Sequence, residues 1–240
     1  LGTLASGLGV VAAVFLSNRK LAGGNPALVA ATFLPLLINL AWLFDPTVEP
    51  ARGRFLFAAG LWMSAVLLAW SALGDKDKRW DWLGPLFVII ALLPVYLLTM
   101  SHAVGAADTF EFQVVAPQLG IAHPTGYPLY LLLGKLFSLL PFGTQAWRVN
   151  LASAVFAVAA TMVVFRLGLE LFRRPLPALV GAVALGLVPI FWSQAIIAEV
   201  YTLHALVVAV ARWSMARLIE GPQTADNRPQ PAGEGRLAVG

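Results

Sequence analysis

The stretch LGPLFVIIALLPVYLLTMSHAV, residues 83–104, contains no aspartate, glutamate, lysine or arginine. A helix needs roughly 20 apolar residues to cross the hydrocarbon core of a bilayer, so this stretch predicts a transmembrane helix. The rest of the chain is similar, since 59% of its 240 residues are hydrophobic and only 12% are charged. A soluble domain is about a quarter charged. Lipid is therefore the expected solvent for most of this protein.

Apolar runs of comparable length occur along the whole chain. Seven of them predict spans: 2–17, 27–44, 55–73, 83–104, 146–167, 176–191 and 196–215. A shorter apolar piece, 129–140, is too short to cross and predicts a helix lying in the interface. The predicted fold is all-α: a polytopic transmembrane helix bundle of about seven spans, with interfacial helices in an outer loop.

The predicted spans divide the chain into three parts. Residues 1–81 hold three N-terminal spans of unknown role, and residues 82–220 hold the other four around an outer loop at 105–145. Residues 221–240 are polar and predict a flexible tail or a truncated cytoplasmic loop. The chain opens on Leu1 inside an apolar run, so we expect a fragment of a longer protein.

The distribution of lysine and arginine predicts the orientation. These residues collect on the cytoplasmic side of a membrane protein. With the 105–145 loop outside, 12 of the 16 fall inside and four fall outside. We therefore expect a multi-pass protein of the plasma (inner) membrane with this loop on the non-cytoplasmic face. The net charge of +4 reflects orientation, and no nucleic-acid partner is expected. Without cysteine, disulfides and thiolate metal sites are excluded.

Two carboxylates open the polar part of the outer loop, DTFEFQVVAPQLGIAHPTGYP at residues 108–128. Asp108 and Glu111 are three residues apart, so on a helix they share a face and could point into one site. The same spacing is also that of a capping box with Asp108 as N-cap, and the two interpretations are compatible. A metal site completed by His123 is a further alternative, which no spacing rule supports, and we expect no metal.

The second half of this loop predicts a rigid turn. His123 precedes Pro124, and Tyr127 lies between a glycine and a proline, which favours extended and turn backbone. The turn could present His123 to a ligand or could simply lead into the 129–140 helix. Lys135 and Arg148 lie on the same side, where they could snorkel to headgroups or clamp a lipid phosphate.

A second polar cluster is FWSQAIIAEVYTLHAL, residues 191–206. Glu199, Tyr201 and His204 fall at or just inside the predicted outer boundary of the membrane. Ionisable side chains at membrane depth are costly and by default indicate function. The alternatives are a loop carboxylate for Glu199 and a hydrogen bond within the bundle for His204.

Three motifs together resemble a known family. The segments DTFEFQVVAPQLGIAHPTGYPLYLLLGKLFSLLPFG, AWRVNLASA and FWSQAIIAEVYTLHAL occur in this order between residues 108 and 206. They resemble a bacterial domain-of-unknown-function family related to the protein O-mannosyltransferases of the GT-C class of membrane glycosyltransferases. The resemblance covers roughly residues 83–218. One departure is DTFEF, where that family more often has Asp-Ser-Gly-Glu-Phe, and both carboxylates survive it.

The resemblance implies a fold, a reaction and a site. The fold would be the N-terminal part of a GT-C fold. The reaction would move a sugar, mannose in the named relatives, from a polyprenyl-phosphate carrier to a protein or glycan hydroxyl, with inversion. Asp108 would be the catalytic general base and Glu111 its partner. The expected substrate-binding residues are His123, Pro124, Tyr127, Lys135, Arg148, Glu199, Tyr201 and His204.

No cofactor is expected beyond the lipid-phosphate-linked sugar donor, and the expected partners are membrane lipid, this donor and the acceptor. The fragment could be inactive alone. The alternative function is a non-catalytic transporter or lipid-binding scaffold. Transporters place ionisable residues near the bilayer midplane, whereas here these residues cluster at one interface, which favours the glycosyltransferase.

Overall fold

The computed structural model describes residues 30–37 and 50–226. Within these ranges it contains helices, turns and loops but no strand. The helices used below are α1 (Pro50–Leu73), α2 (Trp80–Thr99), α3 (Ala107–Gln118), α4 (Pro128–Ser138), α5 (Gln145–Phe172), α6 (Pro175–Leu187), α7 (Pro189–Ala195) and α8 (Tyr201–Asp226). The all-α prediction is confirmed for the described part of the chain.

Four of these helices are long and apolar enough to cross a membrane: α1, α2, α5 and α8. A fifth candidate is the pair α6 and α7, which are bent by 67° relative to each other. The predicted span at 2–17 and most of the span at 27–44 lie outside the described residues. The count of seven spans therefore stays a prediction, while a bundle with four or five candidate spans is what the described residues form.

Two predicted spans differ in detail from the observed helices. The apolar run 176–191 predicts one helix, but the helix breaks at Val188, because Pro189 lacks an N–H and disfavours helical backbone in the preceding residue. The run 196–215 also predicts a helix from its start, but α8 begins only at Tyr201. Glu199 therefore lies in a loop. At its other end α8 continues to Asp226, six residues into the predicted tail.

The core of the bundle forms around α5, the longest described helix, which packs against α2, α6 and α8. Glycine allows α2 to approach closely: a Cβ at Gly84 would lie 2.0 Å from the Phe165 ring. Small residues at helix contacts are the usual means of close packing in membranes. Helix α2 also contacts α6, where the Tyr96 hydroxyl donates a hydrogen bond to the Gly186 carbonyl oxygen at 2.8 Å.

The helix directions give the bundle two distinct ends. Asn150 near the start of α5 donates to Ser101 just after α2, and Ser153 contacts Glu199 just before α8. Helix α2 therefore runs antiparallel to α5, whereas α8 begins at the same end of the bundle as α5 and runs parallel to it. At 1.5 Å per residue, the 28 residues of α5 separate the two ends by roughly 40 Å. Helices α3 and α4 lie at the end that holds the predicted outer loop.

Candidate active site at the outer-loop end of the bundle

Helix α3 carries the two loop carboxylates. It begins at Ala107 with Ala106 as N-cap, and no side chain caps it. The capping-box alternative is therefore wrong: Asp108 already lies within the first helical turn, and the Glu111 side chain reaches His123 instead of the helix start. Asp108 is left exposed at the beginning of the helix, where it is accessible to a substrate.

Glu111 holds the His123 turn through both of its carboxylate oxygens. Oε1 accepts a hydrogen bond from the His123 backbone N–H at 2.7 Å, and Oε2 contacts the ring Nδ1 at 2.6 Å. The His123 contact lowers the pKa of Glu111, and Glu111 raises the pKa of His123. The pair is therefore biased towards a carboxylate and an imidazolium. The ring of His123 also packs against Phe112 and Tyr127.

The same three side chains could accommodate a cation. Asp108, Glu111 and His123 each offer one ligand atom, and these atoms lie within 4.8 Å of one another. Oxygen and imidazole ligands suit several divalent metals. In the observed arrangement, both Glu111 oxygens already bind His123, so a metal here would compete with His123 for the Glu111 carboxylate.

Glu199 joins this cluster from a distant part of the sequence. Its Oε1 accepts a hydrogen bond from the hydroxyl of Thr109, 90 residues away, at 3.1 Å. Burial raises the pKa of Glu199, and the nearby Asp108 carboxylate raises it further, against the Thr109 hydrogen bond and the charge of His123. The structure thus brings Glu199 of the second polar cluster next to the helix that carries Asp108 and Glu111.

A buried hydroxyl on α5 positions the Glu199 backbone. Ser153 Oγ donates to the Glu199 carbonyl oxygen at 3.1 Å and accepts from the Glu199 N–H at 3.1 Å. The Tyr130 hydroxyl lies 2.9 Å from the same Oγ. Both Ser153 and Tyr130 are almost fully buried. Because the chain is not helical here, these contacts replace the hydrogen bonds that a helix would have supplied.

A neighbouring pair of buried amides connects α3 to α5. The Gln113 amide donates to Asn150 Oδ1 at 2.8 Å, and its own oxygen accepts from the Gly105 N–H at 2.9 Å. The site residues predicted from the sequence do not include Gln113, Asn150, Ser153 or Tyr130. A signal was present, since Asn150 and Ser153 lie three residues apart in an otherwise apolar span and so share one helix face.

The two predicted phosphate ligands form other contacts. Lys135 Nζ donates to the Pro117 carbonyl oxygen at 2.5 Å, near the end of α3. The Arg148 guanidinium donates to the carbonyl oxygens of Phe142, Ser138 and Gly143 at 2.9, 3.1 and 3.0 Å. In this structure both cations satisfy backbone carbonyls, and their role on a lipid phosphate stays a prediction.

A largely apolar groove lies beside the carboxylate cluster. It has a volume of about 480 Å³ and runs between the start of α4 and the start of α8. Tyr127, Tyr201 and His204 line it, together with Leu129 and Val207 among others. Tyr127 links the groove to the cluster, because its ring centroid lies 5.3 Å from that of His123. Pro124 is exposed in the loop between α3 and α4.

Comparison with known proteins gives a family for this chain. The model of the family described as "Protein O-mannosyl-transferase TMEM260 N-terminal domain" matches residues 108–230. The mouse protein O-mannosyl-transferase TMEM260 is 31% identical over 158 residues, which is 65% of this chain and 22% of the mouse protein. The Dictyostelium discoideum protein O-mannosyl-transferase tmem260 is 29% identical over 126 residues, 51% of this chain and 15% of that protein.

No solved structure matches the chain significantly. The matched region of the family model begins at Asp108 and includes Glu111, His123 and Glu199. It therefore contains the whole carboxylate cluster and the groove. Together with the helical bundle that positions them, this match shows that the chain belongs to the family of the protein O-mannosyl-transferase TMEM260 N-terminal domain.

Proposed function

We propose that this chain carries the catalytic site of a membrane glycosyltransferase. The enzyme moves a sugar, mannose in the named relatives, from a polyprenyl-phosphate carrier to a protein or glycan hydroxyl on the non-cytoplasmic face. The names of the relatives support the class of reaction. The observation that carries the proposal is the meeting of Asp108, Glu111, His123 and Glu199 next to an apolar groove.

Asp108 is the general base of the proposed reaction. The acceptor hydroxyl oxygen attacks the anomeric carbon of the sugar while its proton passes to the Asp108 carboxylate. The bond between that carbon and the phosphate oxygen breaks, and the carrier phosphate leaves with the electron pair. Attack opposite the leaving group inverts the anomeric carbon. A positioned base typically contributes a factor of about 10²–10⁴ to such a step.

The neighbours of Asp108 have supporting roles. His123, whose pKa is raised by Glu111, offers the positive charge of its protonated ring to the departing phosphate, where developing charge needs stabilising. Burial and the nearby Asp108 carboxylate raise the pKa of Glu199, and we assign its carboxyl group to a hydrogen bond with a sugar hydroxyl. The groove lined by Leu129, Leu203 and Val207 suits the apolar chain of the carrier.

The proposal is tested by removing the base. In membranes that contain the full-length protein, we expect Asp108→Asn to lower sugar transfer by about 10²–10⁴-fold while expression and folding persist. The measurement is transfer from radiolabelled polyprenyl-phosphate sugars to acceptor. Asp81→Asn is the matched control, because it removes an exposed carboxylate at the other end of the bundle. Near-normal transfer by Asp108→Asn would contradict the base assignment.

The proposed mechanism uses no divalent metal, because His123, oriented by Glu111, supplies the positive charge beside the departing phosphate. We therefore expect a chelator to leave the rate of transfer unchanged in wild-type membranes. The rate is measured before and after treatment with EDTA, and again after adding back magnesium or manganese. A loss that either metal restores would instead assign the three ligand atoms of Asp108, Glu111 and His123 to a metal.

A further inference from the structure

A second cavity lies at the opposite end of the bundle, about the length of α5 from the carboxylate cluster. It has a volume of about 540 Å³ and is lined by the 75–81 segment, the last turns of α5 and the C-terminal half of α8. Nine of its 11 lining residues are charged. The reaction proposed above uses none of them, and neither α3 nor α4 contributes a lining residue to this cavity.

The cavity is shaped by a fixed loop. The Trp80 indole Nε1 donates to the Gly74 carbonyl oxygen at 2.9 Å, and Trp80 itself is almost fully buried. The loop is further held by Asp75, whose Oδ1 accepts from the Trp70 indole at 2.7 Å. Because these contacts close the loop on itself, the side chains between Gly74 and Trp80 are presented to the cavity from a preorganised backbone.

Two carboxylates in this loop have arginine partners. Asp77 binds Arg79 at 2.9 Å, and Asp75 lies 3.9 Å from Arg174. The contact with Arg79 lowers the pKa of Asp77. This acid therefore stays ionised, and its negative charge is compensated by the arginine. Neither carboxylate is left to neutralise the lysines beside it in the loop.

The remaining two carboxylates of the cavity are paired in the same way. Asp81 lies 3.5 Å from Arg166 on α5. Glu170, near the end of α5, forms an ion pair with Arg217 on α8 and accepts a hydrogen bond from the Trp213 indole at 3.0 Å. Each acid of this cavity thus has an arginine of its own.

Lys76 and Lys78 are not paired with any of these carboxylates. Both line the cavity, both are exposed, and neither has an ion-pair partner among the described residues. The acids that could compensate them are already engaged. The cavity therefore carries an uncompensated positive charge, and such charge between membrane helices selects for anionic groups.

We propose that this cavity binds the phosphate of an anionic lipid headgroup. It lies at the ends of three candidate spans, the level at which headgroups meet a membrane protein. Lysine ammonium groups are established phosphate ligands, and basic pockets between helices on the cytoplasmic side are typical headgroup sites. The charge distribution of the sequence predicts this same end to be cytoplasmic. Free phosphate shares this chemistry, so the experiment separates the two sources.

The experiment titrates the purified full-length protein with phosphatidylglycerol and, as a neutral reference, phosphatidylcholine, and counts bound lipid by native mass spectrometry. Each lysine near a membrane surface contributes about a factor of five to binding of anionic lipid. We therefore expect the Lys76→Gln, Lys78→Gln double variant to bind phosphatidylglycerol about 25-fold more weakly. Arg54→Gln, which removes a cation from the far end of α1, should bind it as wild type does.

Two further arms distinguish a cavity from simple surface attraction. Leu169→Trp keeps every charge but fills the cavity, so it should also weaken binding of phosphatidylglycerol; thermal unfolding confirms that each variant is folded. Inorganic phosphate should fail to displace the lipid at equal concentration. Undiminished binding by the double variant or by folded Leu169→Trp overturns the proposal. Displacement by inorganic phosphate overturns the lipid assignment, and neither result bears on sugar transfer.

Discussion

Contacts between individual side chains hold the loop around His123 in a defined conformation. The turn from His123 to Pro128 contains two prolines and a glycine, and its conformation is stabilised by Glu111 from the helix before it. The spacing of Asp108 and Glu111 predicts a shared helix face. It does not predict that Glu111 orients a histidine while Asp108 stays exposed.

The Glu111–His123 pair should make the loop sensitive to pH. Because the folded pKa of His123 is raised, its contribution to stability is complete below the ordinary histidine value of about 6.5 and is lost as pH rises through the raised value. Because that of Glu111 is lowered, its contribution is complete above the ordinary glutamate value and is lost as pH falls through the lowered value.

We expect Glu111→Gln to shift the alkaline limb of this stability profile to lower pH, since His123 then loses its proton nearer its ordinary value. Thermal unfolding of the purified protein, recorded across this range of pH, measures the shift. His123→Gln is the companion variant and should flatten the same limb. An alkaline limb that is identical in wild type and Glu111→Gln would refute the ion pair as its cause.

Among the helices, the break between α7 and α8 contributes most to the geometry of the candidate site. The sequence predicts a helix from residue 196, yet residues 196–200 leave the helix and place Glu199 beside α3. Non-helical backbone at this depth is tolerated only where other groups satisfy its hydrogen bonds. Ser153 on α5 satisfies both the N–H and the carbonyl of Glu199.

Ser153→Ala should therefore loosen this segment. We expect a loss of stability of roughly 1–3 kcal/mol, the typical cost of leaving buried polar groups unpaired. Faster hydrogen exchange in residues 196–200 should accompany it. Tyr130→Phe keeps the Ser153 contacts to Glu199 and should have a smaller effect on exchange. Ser193→Ala, an exposed serine on α7, is the control. Unchanged exchange in Ser153→Ala would show that Glu199 is held by something else.

The molecule as a whole separates two kinds of polar chemistry at opposite ends of an apolar bundle. One end carries the carboxylates around His123, and the other carries the paired charges around Lys76 and Lys78. Hydrocarbon excludes both from the middle, so α2, α5 and α8 hold them roughly 40 Å apart. The family match covers only residues 108–230, so neither α1 nor α2 is part of it.

The orientation of this bundle can be tested directly, because the chain contains no cysteine. We expect Thr125→Cys to react with a membrane-impermeant maleimide in intact cells, and Lys76→Cys to react only after permeabilisation. Both positions are exposed in the structure, so burial does not limit either reaction. The reverse pattern would overturn the predicted topology and place the carboxylate cluster in the cytoplasm.

Helical class and membrane location follow from local composition alone. Hydrocarbon accepts only elements that satisfy their own backbone, and a span needs roughly 20 apolar residues. A run such as residues 83–104 therefore predicts its structure without reference to the rest of the chain, and α2 (Trp80–Thr99) confirms it within a few residues. For the same reason, the positions of Asp108, Glu111 and His123 near the end of the bundle could be anticipated from the runs on either side.

Contacts between distant segments could not be predicted from local composition. Three contacts depend on how α5 packs against its neighbours. Thr109 donates a hydrogen bond to Glu199, Ser153 binds the Glu199 backbone, and Arg148 donates to backbone carbonyls. Local hydropathy carries no information about such packing, because the spans are similarly apolar. The cluster therefore exists only in the assembled bundle, where the tight approach of helices brings residues 90 positions apart within hydrogen-bond distance.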